Sequence, residues 1–268
     1  MFDSSHSDIR FHDVWIEHPQ GRIFARSWEP PGEESASPIV LLHDSLGCVA
    51  LWRDFPAALC AQTGRRVIAY DRLGFGRSTA RETLPALSFV ADEATEVFPL
   101  VRQQLGLDRF VVLGHSVGGG MAVHCAAQFA NHCEALITVS AQAFVEARTI
   151  QGIEAAKQMF QDAAQQQRLA RYHGDKAPWV LAAWIERWLD PDFAHWSLAT
   201  VLPNVYCPVL AIHGAEDPYG SARHPQMIAQ LCNGPVQLAL MDEVFHVPHR
   251  EQPARVLEWV AKFLAQSR

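Results

Sequence analysis

The sequence predicts an α/β fold, a mainly parallel β-sheet covered by helices on both faces, with one helical insertion. Three observations carry that expectation. Short apolar runs of strand length alternate with helix-length segments through most of the 268 residues, the mark of strands buried on both faces. The alternation stops from about Gln142 to Asn204, where no strand-like run occurs and four of the eight tryptophans fall. A Gly-His-Ser-Val-Gly sequence sits where one strand should turn sharply into a helix.

Taken in order, Phe11 to His18 and Arg22 to Trp28 are β-rich runs around Pro19-Gln20-Gly21, a turn signal, and predict an antiparallel hairpin. After the Pro30-Pro31-Gly32 loop, Pro38 to His43 is a continuous apolar run, followed by a helical stretch from Ala50 to Gln62 and a second buried run from Arg65 to Tyr70. Leu87 to Leu105 reads as a long helix, Phe110 to Leu113 as a strand, Val117 to Ala130 as a helix and Ala135 to Val139 as a strand. In the insertion, Val180, Leu181, Trp184, Ile185, Trp188 and Leu189 recur at helical spacing and form one apolar stripe. The stripe docks the insertion on the main domain, and some of its rings are candidates to line a substrate pocket, with Trp179, Trp184 and Trp188 named for that role. The alternation resumes with Pro208 to Ile212, a helix near His224 to Cys232, a strand at Pro235 to Met241 and a closing helix from Gln252 to Ala265 that turns Val256, Val260, Phe263 and Leu264 inward. The domain reading is therefore a core of residues 1–141 and 205–268, interrupted by a helical lid over 142–204.

Composition narrows the function. With 49% hydrophobic residues and a net charge of −7, the chain has a large core and lacks the basic footprint of a nucleic-acid binder. Its apolar runs fall far short of the roughly 18 residues that a membrane span needs, so no membrane association is expected. Met1 to Arg10 carries Asp, Ser and His where a secretory leader would be basic and then apolar, which makes the cytoplasm the default location. The six cysteines lack a C-x-x-C pair and are expected to be free, mostly buried thiols. Neither the cysteines nor the histidines show zinc-ligand spacing, so no metal is expected. Gly74-Phe75-Gly76 and Gly118-Gly119-Gly120 do not make G-x-G-x-x-G, no acidic residue ends the strand Ala135 to Val139, and no phosphate-binding P-loop is present. The expectation is a protein without cofactor, whose partner is a small molecule.

Gly114-His115-Ser116-Val117-Gly118 is the strongest local signal. A serine on so sharp a strand-to-helix turn adopts strained backbone angles, and only neighbours without side chains leave room for it. The turn lifts the Ser116 hydroxyl off the sheet and aims the first helical amides at any oxyanion beside it. A serine hydroxyl needs a base, and the base needs an orienting acid. Both are sought in loops leaving the carboxyl ends of the later strands, because these gather on the same sheet edge as the serine. His246 comes first out of the last strand and is preferred to His249, which is read as a surface or helix-capping residue. His115 adjoins the serine and is expected to point elsewhere. Asp217, in the loop after Pro208 to Ile212, is preferred to Glu216; the loop after Ala135 to Val139 offers no carboxylate before Glu146. The oxyanion hole then needs two backbone amides, that of Val117 and one from the loop His43-Asp44-Ser45-Leu46-Gly47, for which Ser45 is the candidate.

With these residues in place the chain resembles the α/β-hydrolase superfamily from about Arg22 to Leu264. His43-Asp44-Ser45 matches the family's His-Gly-x loop, Asp71-Arg72-Leu73-Gly74-Phe75-Gly76-Arg77-Ser78 its turn after the next strand, and Phe245-His246 through Glu251-Gln252-Pro253 its histidine loop. The resemblance implies an eight-stranded sheet and a lid, which the tryptophan-bearing insertion resembles. It departs at Asp44, where the family has glycine. A carboxylate facing the hole would oppose an oxyanion, so Asp44 is expected to point away or to be paired.

The expected chemistry is acyl transfer to water, a carboxylesterase-like activity with Ser116 as nucleophile, His246 as base and Asp217 as orienting acid. The same triad on this fold also cleaves lactones, thioesters, amides and carbon-carbon bonds of ring-cleavage products, and some members of the fold are non-catalytic receptors. A C-C hydrolase and a small-molecule receptor are therefore the alternatives. The serine disfavours the aspartate-nucleophile members. No arginine or lysine is assigned to a substrate carboxylate from sequence.

Overall fold

The structure is a computed structural model that describes residues 9–32 and 36–266. The opening segment on which the leader reading rests therefore lies almost wholly outside the described residues.

Eight strands form one sheet: β1 (Arg10–His18), β2 (Gly21–Glu29), β3 (Ile39–Leu42), β4 (Val67–Tyr70), β5 (Phe110–His115), β6 (Cys133–Val139), β7 (Val209–Gly214) and β8 (Val236–Met241). Their order is β1-β2-β4-β3-β5-β6-β7-β8. The β1–β2 hairpin is antiparallel and joins β4 antiparallel, while every pairing from β4 to β8 is parallel. Alternation within the short strands supplies two cores. Val40, Leu42, Ile68, Tyr70 and Val112 pack on one face of the sheet, and Ile39, Leu41, Val67, Ala69, Val111 and Leu113 on the other. This is why the middle strands read as unbroken apolar runs in the sequence.

Ten helices flank the sheet among the described residues. They are α1 (Phe55–Thr63), α2 (Phe89–Asp92), α3 (Phe98–Leu105), α4 (Val117–Gln128), α5 (Ala147–Met159), α6 (Ala163–His173), α7 (Ala177–Trp188), α8 (Arg223–Leu231), α9 (Pro248–Glu251) and α10 (Pro253–Gln266). Two expected helices are interrupted. The stretch from Ala50 divides into a 3₁₀ turn (Val49–Trp52) and α1, because Arg53 takes a left-handed φ of 53° between them. The long helix from Leu87 is α2 and α3 joined through a π-turn (Glu93–Val97). Pro99, near the start of α3, has no N–H for the i→i−4 ladder, which accounts for the irregularity.

The insertion between β6 and β7 is helical (α5, α6, α7), with one isolated bridge, Phe144 to Ser197. Of the α7 stripe, Val180, Ile185 and Trp188 are buried, and the Trp188 ring meets Phe193 and Trp196 edge-on at 5.3 and 5.6 Å. Polar contacts fix the insertion over the sheet edge. The Lys176 ammonium donates to the carbonyls of Phe75, Gly76 and Ser78. His173 accepts from the Gly76 amide through Nδ1 at 2.9 Å, so its Nε2 carries the proton that meets the Leu46 carbonyl at 3.0 Å.

The strand order reverses at β3: the chain passes to β4 on one side and returns to β5 on the other. In open α/β sheets the crevice outside the carboxyl ends of the strands at such a switch point is where ligands bind. The register places Leu42 beside Gly114, so the loop beginning at His43 and the turn at Ser116 open side by side.

Candidate active site

Ser116 has φ 56° and ψ −125°, a left-handed conformation that a side chain rarely adopts. The flanking glycines make it possible. A β-carbon on Gly114 would lie 2.0 Å from the Gly118 carbonyl oxygen, and one on Gly118 would lie 2.2 Å from the Leu42 carbonyl oxygen. The G-x-S-x-G spacing is thus a steric requirement, and it holds the serine at the start of α4.

Asp217, fully buried after β7, accepts from the Tyr219 amide through Oδ1 at 2.8 Å. Its Oδ2 lies 2.8 Å from His246 Nδ1, in the loop after β8. Burial pushes the Asp217 pKa up, but the neighbouring His246 and His213 rings and the Tyr219 amide outweigh it, and the net shift is downward. The carboxylate is therefore ionised where it holds the imidazole. Glu216, the alternative acid, is exposed.

Ser116 and His246 line one cavity of about 270 Å³, but the relay is not continuous at rest. The Ser116 hydroxyl donates to Gln142 Oε1 at 3.2 Å rather than to His246. Such bonds are often formed only with substrate in place. Gln142 belongs to the loop after β6, which holds no carboxylate before Glu146 and so offers an amide rather than an acid.

Asp44 is paired rather than aimed freely at the oxyanion position. Its Oδ1 accepts from the Leu46 amide at 2.8 Å, and its Oδ2 lies 3.2 Å from His115 Nδ1. The other His115 nitrogen, Nε2, is 2.8 Å from the His246 carbonyl oxygen, so this ring ties the loop after β3 to the loop after β8. Although burial opposes it, the contact with His115 and the Leu46 amide keep the Asp44 carboxyl well below the usual range. The Gly47 amide donates to the Asp44 carbonyl at 3.2 Å, and the Ser45 amide is without an acceptor among the described residues. Arg72 braces the turn from behind, donating through Nη2 to the Asp44 carbonyl at 2.8 Å and through its amide to His43 Nε2 at 3.1 Å.

His249 corrects a sequence expectation. It is neither a surface nor a capping residue but is buried among Trp52, Phe55 and His115, with ring centroids 4.8, 5.3 and 4.7 Å away. Burial, with His115 and Arg250 adding, pushes its pKa well below the ordinary histidine value, so it is a neutral packing residue. Trp184 and Trp188 line the cavity with Leu46, Leu51 and Ile153, whereas Trp179 does not. The Trp179 ring meets Phe75 edge-on at 5.5 Å and closes over Gly74, beside a smaller cavity that also holds Arg72 and Glu93. Tyr219, Thr149 and Arg250 also line the cavity that holds Ser116, and they carried no sequence signal. The Tyr219 ring stands edge-on to His246 at 4.7 Å.

Glu146 does not approach the serine. It accepts from the Ser221 amide at 2.7 Å and meets His224 Nε2 at 3.1 Å, clamping the acid-bearing loop to the start of α5. The Ala143 amide donates to His224 Nδ1 at 3.0 Å, so the ring is neutral with its proton on Nε2. Burial lowers its pKa from 6.5 to about 4; Glu146 opposes the shift and His213 adds to it. Between these values the unfolded chain takes up a proton that the folded chain refuses. Stability present above the unfolded value is lost as pH falls toward the folded one, by about 3 kcal/mol for this residue. Urea unfolding of a His224→Asn variant should lose about that much less than wild type between neutral pH and about pH 4; an unchanged pH slope would contradict the assignment.

Among the described residues no group of three or more His, Cys, Asp or Glu is placed to hold a metal ion. Nor is any helix long and apolar enough to cross a membrane.

A family model described as alpha/beta hydrolase fold matches residues 37–180, just over half of the chain. The 1-acylglycerol-3-phosphate O-acyltransferase of Homo sapiens is 36% identical over 110 residues, 41% of this chain and 31% of that protein. A proline iminopeptidase of Lactobacillus delbrueckii is 33% identical over 87 residues, 32% of this chain and 30% of the relative. The chain thus aligns with about a third of the length of these curated relatives. Among solved structures, the proline iminopeptidase of Mycobacterium smegmatis superposes with a TM-score of 0.75 at 24% identity, covering 96% of this chain and 98% of that one. The enol-lactonase of Burkholderia xenovorans does so with 0.71 at 19%, covering 94% and 100%. At these identities the two structures speak for the fold.

Proposed function

Because the chain belongs to the α/β hydrolase fold family, we propose that it is a serine hydrolase cleaving an ester-like bond of a small substrate through an acyl-enzyme. The observation that carries this reading is the strained Ser116 sharing one cavity with a histidine whose far nitrogen is held by a buried carboxylate. In the proposed cycle the Ser116 oxygen attacks the carbonyl carbon and its proton passes to His246 Nε2. The Val117 and Ser45 amides receive the oxyanion. His246 then protonates the leaving group, Asp217 balances the imidazolium, and water repeats the sequence to release the acid.

The relatives named above act on different bonds, as a peptidase, a lactonase and an acyltransferase, so their names do not choose the bond. The cavity supports a small, partly apolar acyl group. A fluorophosphonate probe tests nucleophile and base together, because it modifies only a serine whose proton is withdrawn. Intact-mass analysis should show one adduct, on Ser116, that a Ser116→Ala variant lacks. A folded wild-type protein that takes no label would refute the proposal. Turnover of dienol ring-cleavage products far faster than esters would assign the site to C-C hydrolysis instead. Ligand binding with neither labelling nor turnover would favour a receptor.

A further inference from the structure

We propose that Arg250 is the specificity residue of this site and that the substrate carries a carboxylate at the end of its acyl chain. The inference rests on the hydrolase reading above and goes beyond it by naming the substrate class.

Arg250 lines the same cavity as Ser116 and His246. Its one hydrogen bond to the described protein runs from Nη2 to the Leu51 carbonyl. Nε is buried without a partner, and among the described residues Nη1 has no acceptor and no carboxylate lies within ion-pair distance. An arginine half withdrawn from water, with donors unpaired, is a costly arrangement unless an anion completes it. The charges facing it already have partners of their own. Asp44 is joined to His115 and to the Leu46 amide, and Asp217 is joined to His246 behind the cavity wall. His249, its neighbour in the chain, is neutral, and Arg53 adds positive charge. Burial lowers the Arg250 pKa from its ordinary 12.5, and guanidinium stays protonated under such shifts. Asp44 acts on Arg250 across the cavity but is not within ion-pair distance of it, so the cavity holds a cation that no carboxylate of the described residues contacts.

Arg250 lines the cavity and Arg53 acts on it only from outside that lining, so a single guanidinium meets the ligand, which suits a monovalent, planar carboxylate better than a phosphate. Leu46, Leu51 and Ile153 give the walls that a short alkyl chain between ester and carboxylate would follow. Half-esters of short dicarboxylic acids and lactones bearing a side-chain carboxylate have this form.

The test compares monoethyl glutarate with its isostere in which an isopropyl group replaces the carboxylate, using wild type, Arg250→Met and Arg250→Lys. Wild type should prefer the half-ester by about tenfold to a hundredfold in kcat/KM, mainly through KM. Arg250→Met should erase that preference by lowering kcat/KM for the half-ester far more than for the uncharged ester, and Arg250→Lys should restore part of it. Equal losses on both esters would make Arg250 a brace for the Leu51 carbonyl and overturn the proposal. So would a wild type without preference. Calorimetric binding of glutarate to Ser116→Ala separates this idea from the hydrolase reading. If no ester is turned over but glutarate binds and Arg250→Met abolishes binding, the carboxylate site stands and the hydrolase reading falls. If esters are turned over and glutarate does not bind, the reverse holds.

Discussion

Ser116→Ala is expected to lower kcat/KM for ester hydrolysis by about 10⁵-fold or more, equivalent to about 7 kcal/mol of transition-state stabilisation. The size follows from what the variant retains and what it loses. The Val117 and Ser45 amides and the cavity walls survive the change, and such groups alone sustain a rate about 10³-fold above that in water. The covalent route disappears, because water in the place of the hydroxyl is neither positioned by the elbow nor as close to the carbonyl. Folding should not suffer: alanine also occupies a left-handed φ of 56° at a cost, but no more than serine does, and among the described residues the hydroxyl's one lost bond is that to Gln142. Equal urea midpoints with a collapsed rate are therefore the expected pair of results. The resting bond to Gln142 adds a kinetic expectation. An amide oxygen is too weak a base to activate a hydroxyl, so the hydroxyl must rotate from Gln142 to His246 before attack. Ester turnover within about tenfold of wild type in Ser116→Ala, measured by initial rates on protein free of wild-type carry-over, would remove the nucleophile and the mechanism with it.

How much of this was legible in the sequence depended on whether backbone or side chain set the pattern. The elbow could be read because its glycines answer to backbone clashes, which recur wherever a strand turns so sharply; a β-carbon on Gly114 or Gly118 would come within 2.0 or 2.2 Å of a carbonyl oxygen. The middle strands could be read because burial on both faces leaves an unbroken apolar run. Strand order put Asp217 and His246 in the loops after β7 and β8, where their side chains lie 2.8 Å apart. Loop side chains were another matter. Gln142 and Arg250 face the cavity only because of how their loops pack, and nothing in their immediate neighbours encodes that direction. The lid tryptophans lie between these cases. Trp184 and Trp188 are four residues apart and share a face of α7, whereas Trp179, five residues before Trp184, is rotated well away from it. Helical phase could have separated them. The role of His249 was misread because proximity to Arg250 and to a helix suggested solvent, while Trp52 and Phe55, almost two hundred residues earlier, supply the aromatic enclosure that buries it.

Asp217→Asn should reduce kcat by about 10³- to 10⁴-fold while leaving KM and the fold nearly unchanged, and the surrounding bonds explain why so small a change is so costly. The Tyr219 amide donates to one Asp217 oxygen at 2.8 Å. In the variant that donor selects the asparagine oxygen for itself and turns the NH₂ group toward His246. An NH₂ group donates, so it is satisfied only if His246 Nδ1 becomes an acceptor and the ring proton moves to Nε2. That nitrogen must accept the Ser116 proton, and a protonated Nε2 cannot. The lost negative charge also leaves the imidazolium of the transition state without compensation in a buried setting. No neighbour can substitute: Glu216 is exposed, and Glu146 is held by Ser221 and His224. His213 stands 3.6 Å from the same carboxylate oxygen, but its Nε2 already meets the Gly220 carbonyl at 3.0 Å and adds no acid. The measurement is kcat against KM over a range of pH, together with the ¹⁵N shifts of the His246 ring. A tautomer change with a kcat loss confined to about tenfold would mean that Asp217 merely supports the loop, and a preserved tautomer with a full loss would mean that its charge, rather than its orientation of the ring, is what the reaction uses.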